Sequence, residues 1–359
     1  MIEGLASRKG SISHENQLHK TGAAFRHTAQ TRDRPTCAQY FPEVETLIEP
    51  VVLFFLLGLI AGALRSELRL PGAVYEFVTI LLLLAIGLKG GVELARQELG
   101  AVLPHMAAVV AMGCILPLVA FPVLRFAGRL SRADSASVAA HYGSVSVATY
   151  AVAVAYFSSR DIFFEAHMPL LLALLEMPAI LVGIVLARGF SVGLRVKSVA
   201  REVLLSKGIV LLLGGLLIGW IAGEEGVASI GPLFFGLFKG LLALFLLELG
   251  LITSAQLGCL RRHGLFLIAF GVAMPLFSAL VGTALGLGLN LSIGGTAMLA
   301  TLAASASYIA VPAAMRISVP EANPTMSLAA SLGVTFPFNV LVGIPAYHAL
   351  AVEAHHFWR

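Results

Sequence analysis

The chain has 359 residues, of which 58% are hydrophobic and 12% are charged, and its formal net charge is +4. Soluble domains carry about 25% charged residues, so this composition excludes a water-soluble globular protein and indicates one that lies mostly in lipid. The small net charge argues against nucleic-acid binding. The three cysteines are far apart in the sequence and predict neither a disulfide framework nor a metal site.

The first part of the chain, residues 1–44, differs in kind from the rest. It is polar, shows no hydrophobic periodicity and is rich in turn-forming residues. Such a segment cannot bury enough apolar surface to offset the entropy of ordering. We therefore expect a disordered tail, and we assign it no function.

From residue 45 onward, long apolar runs alternate with charged or Pro/Gly-rich turns. Several runs exceed the roughly 20 residues of a straight helical crossing, which favours tilted or interrupted helices. The sequence therefore predicts an all-α polytopic membrane protein with about ten transmembrane helices. The predicted spans lie near residues 47–65, 73–95, 101–125, 134–157, 164–188, 207–223, 229–256, 264–288, 293–315 and 323–351.

Basic residues predict the orientation of these spans. The loops that follow odd-numbered spans hold Arg65, Arg69, Arg125, Arg129, Arg132, Arg188, Arg195, Lys197, Arg201, Lys207, Arg261, Arg262 and Arg316. The loops that follow even-numbered spans hold only Arg96 and Arg160. Because cytoplasmic loops are enriched in Lys and Arg, we expect a bacterial inner-membrane protein with both termini in the periplasm. The basic residues of the N-terminal tail favour the opposite orientation.

The two halves of the chain resemble each other at an offset of about 160 residues. Matched pairs include His105 with His263, Pro117 with Pro275, Pro178 with Pro337, Gly183 with Gly343, and "GSVS" (143–146) with "ASAS" (304–307). A duplicated unit with an odd number of spans must insert upside down, and inverted repeats are typical of transporters. We expect one five-helix repeat at 45–190, a cytoplasmic linker at 191–206, an inverted repeat at 207–352 and a short tail at 353–359. The alternative is chance similarity between Leu/Ala/Gly-rich segments.

Two matched positions are rich in small and hydroxyl residues where a membrane helix would carry Leu or Ile. The first contains Gly143, Ser144, Ser146 and Thr149, and the second contains Ser305, Ser307, Tyr308 and Pro312. Glycine weakens a helix, and proline breaks or kinks it just before its own position. A broken helix exposes free N–H groups and a positive dipole end. We therefore expect two broken helices that cross near the middle of the membrane and bind a small anion. The alternative is close helix packing through small residues.

Two carboxylates lie deep within apolar spans, where ionisable groups are costly and usually functional. Glu176 and Glu248 are candidate cation ligands, with Thr253, Thr335 and Asn339 as neutral oxygen donors. Hard cations favour oxygen ligands of this kind. The alternatives for the carboxylates are a protonated acid bonded to a neighbouring helix, and a proton carrier.

Together these segments resemble the sodium-dependent bicarbonate transporters of bacteria, outside the cyanobacterial branch. The resemblance is carried by "GLKGG" (87–91), "GSVS" (143–146), "EMPAILVGIVLA" (176–187), "AASASYIAVPAAMR" (303–316) and "VPEANPTMSLAAS" (319–331). It implies an inverted five-plus-five fold, a homotrimer, bicarbonate held between the broken helices and Na⁺ close by. By position, Gly143, Ser146, Thr149, Ser305, Ser307 and Pro312 match the substrate region of the family, and Glu176 stands where cyanobacterial members carry Asp.

The sequence departs from the cyanobacterial pattern at the second break. Those members carry Ser-Ser-Ser-Asp there, whereas this chain has Ser305, Ala306, Ser307 and Tyr308. The loss of an acidic residue beside the anion site bears on both cation coordination and substrate choice. The linker at 191–206 is short, so the PII-like regulatory partner that the resemblance implies is not assumed here.

These observations predict a secondary transporter that takes up a small anion, bicarbonate first, with Na⁺ as the coupling ion and no organic cofactor. Alternating access would carry the anion across the bilayer. The alternatives are a transporter of the same fold for a small organic carboxylate, and a cation/proton antiporter. An intramembrane enzyme is excluded because no nucleophile lies at helical spacing from a base or a metal cluster.

Overall fold

The computed structural model describes residues 49–97, 99–189, 201 and 204–358. The predicted disordered tail (1–44) and most of the predicted linker (191–206) lie outside these residues. All regular secondary structure in the described part is helical.

Twelve helices, labelled α1 to α12, organise the described residues. They are α1 Pro50–Ala63, α2 Gly72–Leu94, α3 Leu99–Pro122, α4 Arg132–Gly143, α5 Val147–Ser158, α6 Met168–Arg188, α7 Lys207–Ala228, α8 Phe238–Gln256, α9 Gly264–Gly288, α10 Ile293–Ala304, α11 Ala310–Ser318 and α12 Pro324–Trp358. Between α8 and α9 the chain turns at Gly264, whose φ of 82° is in the left-handed region that glycine tolerates. Helix α12 contains π-helical turns at Ser331–Thr335 and Asn339–Gly343.

The predicted all-α membrane fold is confirmed. Eight helical segments of the described chain are long and apolar enough to cross a membrane, when α4 and α5 are taken as one segment, and α1 and α10 are shorter apolar helices. These ten segments match the ten predicted spans in order. The seventh span begins at Phe238 rather than near residue 229, because Pro232–Gly236 forms a separate π-helical turn.

Two pairs of helices, α2 with α7 and α1 with α8, pack so closely that their backbones are in contact. A side chain at Gly87 would collide with the carbonyl oxygen of Leu212, and one at Gly219 with that of Leu88, so α2 and α7 touch through glycine. A side chain at Gly250 would likewise collide with the carbonyl of Phe55, which joins α1 to α8. Such contacts replace the hydrophobic effect as the source of association inside a bilayer.

The remaining helices form a second packed group. Helix α3 packs on α4 and α6, while α9 packs on α10 and α12. Two carboxylates tie the ends of these helices together. Glu165 accepts a hydrogen bond of 2.6 Å from the Ser292 N–H, just before α10, and Asp134 in the first turn of α4 accepts one of 2.7 Å from the Asn323 N–H, just before α12. Each carboxylate thus satisfies an N–H beside a helix start in the other half of the chain.

Gly219→Ala tests the glycine contact between α2 and α7. The added methyl group would meet the Leu88 carbonyl, whereas one added at Gly214, on the same helix, would meet nothing within 4 Å. We expect Gly219→Ala to cost about 1–3 kcal/mol of stability, which would appear as a lower melting temperature in detergent. Gly214→Ala is the matched control and should melt like the wild type; equal melting of the two variants would contradict the contact.

Candidate functional site

The first helix break separates α4 from α5. Helix α4 ends at Gly143, which has no room for a side chain because Pro117 of α3 lies against it. Ser144 is extended, with φ −99° and ψ −175°, and the helix resumes at Val147. The Ser146 hydroxyl accepts a hydrogen bond of 3.1 Å from the Thr149 N–H and so caps the start of α5.

The second break separates α10 from α11. Helix α10 ends at Ala304, and residues 305–309 are not helical before α11 begins at Ala310. The sequence predicted a break just before Pro312, but Pro312 lies in the first turn of α11. A proline is tolerated there because the first N–H groups of a helix have no partner within it. The break is therefore set by the serine-containing segment upstream of the proline.

The two breaks contact each other through two hydrogen bonds that backbone N–H groups donate. The Ser146 N–H donates to the Ser305 hydroxyl at 3.0 Å, and the Ser307 N–H donates to the His141 carbonyl at 2.9 Å. Both bonds are buried. They place the two interrupted helices against each other, as the sequence predicted.

Several polar side-chain atoms around this crossing are buried without a hydrogen-bond partner. They are the hydroxyl groups of Ser144, Thr149 and Tyr308 and the Nε2 atom of His141. The Tyr308 hydroxyl lies beside Ser146 and Tyr75 but makes no hydrogen bond of ordinary geometry. A buried unpaired polar group costs about 1–3 kcal/mol, so a cluster of them is typical of a site that a ligand completes.

A cavity of about 390 Å³ opens beside the crossing. Its walls include the first turns of the two helices that follow the breaks. These residues are Val147 and Ala148 of α5 and Ala310 of α11. Glu176 of α6 lines the same cavity and is 7% exposed. Lys207, at the start of α7, also lines it and forms an ion pair with Glu76 of α2. The positive dipole ends of α5 and α11 therefore border a space that contains one carboxylate.

A second cavity, of about 560 Å³, lies toward the opposite end of α2 and α5. Helix α2 lines the first cavity as far as Leu83 and the second from Ala85 onward. Helix α5 lines both as well, and the second cavity also contains Lys89 and Lys239. The two cavities are thus lined by residues of α2 that are less than one helical turn apart.

The predicted cation ligands are not gathered at one place. Glu176 lines the cavity beside the crossing, whereas Glu248 is half-buried on α8 and accepts a hydrogen bond of 3.4 Å from the Leu70 N–H. Thr253 donates to the Leu332 carbonyl at 3.4 Å. Within the described residues, no group of three or more His, Cys, Asp or Glu side chains is placed to hold a metal ion.

Asn339 bonds to the second broken helix, and Thr335 bonds to Tyr142 near the end of α4 in the first. The Asn339 amide donates to the carbonyl of Ala304, the last residue of α10, at 2.9 Å and accepts from the Tyr347 hydroxyl at 2.7 Å. Thr335 donates to the Gly271 carbonyl at 2.7 Å and lies 2.7 Å from the Tyr142 hydroxyl. Sequence reasoning missed these roles; the spacing of four residues on α12 was the available signal, but it did not identify the partners.

A comparison with known families is consistent with this geometry. The profile of the Na⁺-dependent bicarbonate transporter superfamily matches residues 50–352. The chain belongs to this superfamily. It is therefore a multi-pass membrane transporter rather than an enzyme, and the family is sodium-dependent. No individually curated protein matches the chain.

Ser305→Ala tests the hydrogen bond between the two breaks. It leaves the buried Ser146 N–H without an acceptor, at a cost of about 1–3 kcal/mol. Ser331→Ala is a matched control, because Ser331 is also fully buried but its hydroxyl bonds only the Ser327 carbonyl, one turn earlier on its own helix. We expect Ser305→Ala to lower the melting temperature by more than Ser331→Ala; the reverse order would show that the crossing does not depend on this bond.

Proposed function

We propose that this protein takes up bicarbonate together with Na⁺ by alternating access, and that the anion binds at the crossing of the two broken helices. One observation carries the proposal: the starts of α5 and α11 meet at the crossing and border the same cavity. Helix starts in this arrangement attract an anion through free N–H groups and the helix dipole.

The hydroxyl groups at the crossing supply the remaining donors. Ser144, Thr149 and Tyr308 each have a buried oxygen without a partner, and a hydroxyl can donate to an anion or accept from its O–H group. The cationic residue that lines the cavity, Lys207, is already paired with Glu76. The site therefore offers dipoles rather than a free positive charge, which suits an anion that must be released again.

Among the predicted cation ligands, we propose Glu176 as the principal partner of Na⁺. It is buried at the edge of the cavity that is bordered by the starts of α5 and α11. Among the described residues, no side chain forms a salt bridge with it and no group donates a hydrogen bond to it. A Na⁺ ion there would neutralise the carboxylate and thereby favour entry of the anion. Glu248, Thr253, Thr335 and Asn339 remain candidates, and each already makes a hydrogen bond within the protein.

For alternating access, we propose that the group α1, α2, α7 and α8 moves relative to the remaining helices. Cavities on both sides of a short barrier on α2 and α5 support this motion. If the chain is a pair of inverted five-helix repeats, α1 corresponds to α7 and α2 to α8. The contact of α1 with α8 then corresponds to that of α7 with α2, which supports the duplication.

With the basic loops in the cytoplasm, the cavity near Lys207 faces the cytoplasm. An inner-membrane location, periplasmic termini and a homotrimer are part of the same proposal.

Ser146→Leu and Ser307→Leu test the anion site. Each would fill the crossing with apolar bulk that lipid-embedded helices tolerate, so we expect folded protein without transport. The measurement is uptake of labelled bicarbonate into proteoliposomes under a Na⁺ gradient. Ser229→Leu, at an exposed residue after α7, is the control and should transport normally. Normal uptake by both crossing variants would place the site elsewhere.

Glu176→Gln tests the coupling ion. The variant keeps the side-chain volume but loses the charge, so we expect the Na⁺ concentration for half-maximal uptake to rise about tenfold or more. Flux measured across a Na⁺ series, with K⁺ replacing Na⁺, gives this value. Equal uptake by the wild-type protein in Na⁺ and K⁺ would contradict Na⁺ coupling itself, whereas an unchanged Na⁺ dependence in the variant would contradict only the role of Glu176.

A small organic carboxylate is the second candidate cargo. The cavity of about 390 Å³ is much larger than one bicarbonate ion requires, and its walls are largely aliphatic, including Leu82, Leu83 and Ala313. Competition for uptake between labelled bicarbonate and a series of carboxylates of increasing size separates the two candidates.

A further inference from the structure

The cavity of about 390 Å³ beside the crossing, the proposed transport cavity, lies against one face of α11. A separate pocket lies on the other face of this helix. Residues Ile309, Ala310, Ala313 and Ala314 of this helix line the transport cavity, whereas Pro312, Met315, Arg316 and Val319 line a pocket of about 300 Å³. The second set occupies the opposite side of a helix with 3.6 residues per turn. The pocket is completed by Ser137 and His141 of α4 and by the start of α12.

His141 lines this pocket and has a ring nitrogen without a hydrogen-bond partner. Its side chain is 1% exposed, and its Nδ1 atom lies 2.7 Å from the Ser137 carbonyl oxygen. A carbonyl oxygen can only accept, so Nδ1 carries the proton, and Nε2 of the neutral ring is an acceptor. Nε2 is buried without a partner. The pocket therefore contains a lone pair that requires a donor.

Arg316 supplies a positive charge and hydrogen-bond donors at the same pocket. It is exposed and has no carboxylate partner among the described residues, whereas the neighbouring Arg188 is paired with Glu321 at 3.5 Å. Asp134 does not neutralise Arg316 either, because its side chain is bonded to the Ser131 hydroxyl and the Asn323 N–H. A guanidinium offers a planar array of donors that fits two oxygens of an oxyanion.

We propose that this pocket binds a protonated oxyanion, whose O–H donates to His141 Nε2 while its charged oxygens accept from Arg316. Bicarbonate has this combination of groups. Nitrate has the same planar shape and charge but no O–H, and Na⁺ would be repelled by the arginine. In the proposed orientation Arg316 and Lys207 both lie at the cytoplasmic side, so this pocket would be a second anion site beside the exit of the transport cavity. The choice of bicarbonate as the probe rests on the proposed function.

The second site would influence the crossing through the backbone of His141. The His141 carbonyl accepts the hydrogen bond from the Ser307 N–H, one of the two hydrogen bonds that join the breaks. An anion held by the His141 side chain of α4 and by Arg316 of α11 therefore contacts the helix that precedes the first break and the helix that follows the second break. Occupancy on the cytoplasmic side would stabilise the joined arrangement of α4 and α11.

Equilibrium binding of bicarbonate to purified protein tests the proposal, with Ser146→Leu as the background that fills the crossing. We expect this variant to retain one bicarbonate site that nitrate does not displace. Adding Arg316→Gln should weaken the remaining site about tenfold or more. Adding His141→Asn should also weaken it, because asparagine keeps a donor for the Ser137 carbonyl but lacks the Nε2 acceptor. Arg188→Gln is the matched control and should bind like the background.

Three results would overturn the proposal: no residual binding in Ser146→Leu, equal displacement by nitrate, or unchanged binding after Arg316→Gln. Melting temperatures of all variants in detergent show whether a loss of binding reflects unfolding; an Arg316→Gln variant that melts normally and binds normally is decisive against the site. Failure of the proposed function has a different signature. In that case the wild-type protein would not transport bicarbonate, while the residual site in Ser146→Leu would persist.

Discussion

Unpaired backbone groups at the helix crossing are the physical constraint on which the rest of the structure depends. Inside a bilayer no water satisfies a free N–H or C=O, and each unsatisfied group costs several kcal/mol. The crossing interrupts two helices, so its backbone groups must find partners nearby. The Ser305 hydroxyl, the His141 carbonyl and the Asn339 amide supply them. The sequence around the crossing is therefore constrained by hydrogen bonding even before any ligand is considered.

This constraint explains why the polar residues of the chain divide into two sets. Residues such as Thr335, Asn339 and Tyr347 have their hydrogen bonds completed by the protein and hold the ends of the broken helices in position. Ser144, Thr149 and Tyr308 are equally buried but incomplete. A structural polar network in a core is expected to be fully satisfied, and the incomplete set is the part of the crossing to which the proposed function assigns the ligand.

Much of the fold could be predicted from the sequence because span length and apolar composition are local properties. The ten segments and the two breaks follow from runs of Leu, Val and Ile and from matched serines. Hydrogen-bond partners that are far apart in the sequence were not predictable in this way. Asn339 has an oxygen and two N–H groups, and only the proximity of Ala304 and Tyr347 makes it a brace. His141 lies two residues before the end of α4, at the first break. Nothing in the neighbouring sequence indicates that its carbonyl accepts a hydrogen bond from the Ser307 N–H of the second break.

A site made from hydroxyls and helix ends also has a consequence for transport. A fixed lysine at the crossing would hold an anion strongly and would remain a buried charge once the anion left, which is costly in a low-dielectric region. Helix dipoles and hydroxyls attract the anion without leaving a net charge behind. The two lysines that line the second cavity, Lys89 and Lys239, are instead exposed on its walls, where water solvates them in either state. In the proposed function, charge is thus placed where the anion would approach, and dipoles are placed where the protein must be stable both with the anion and without it.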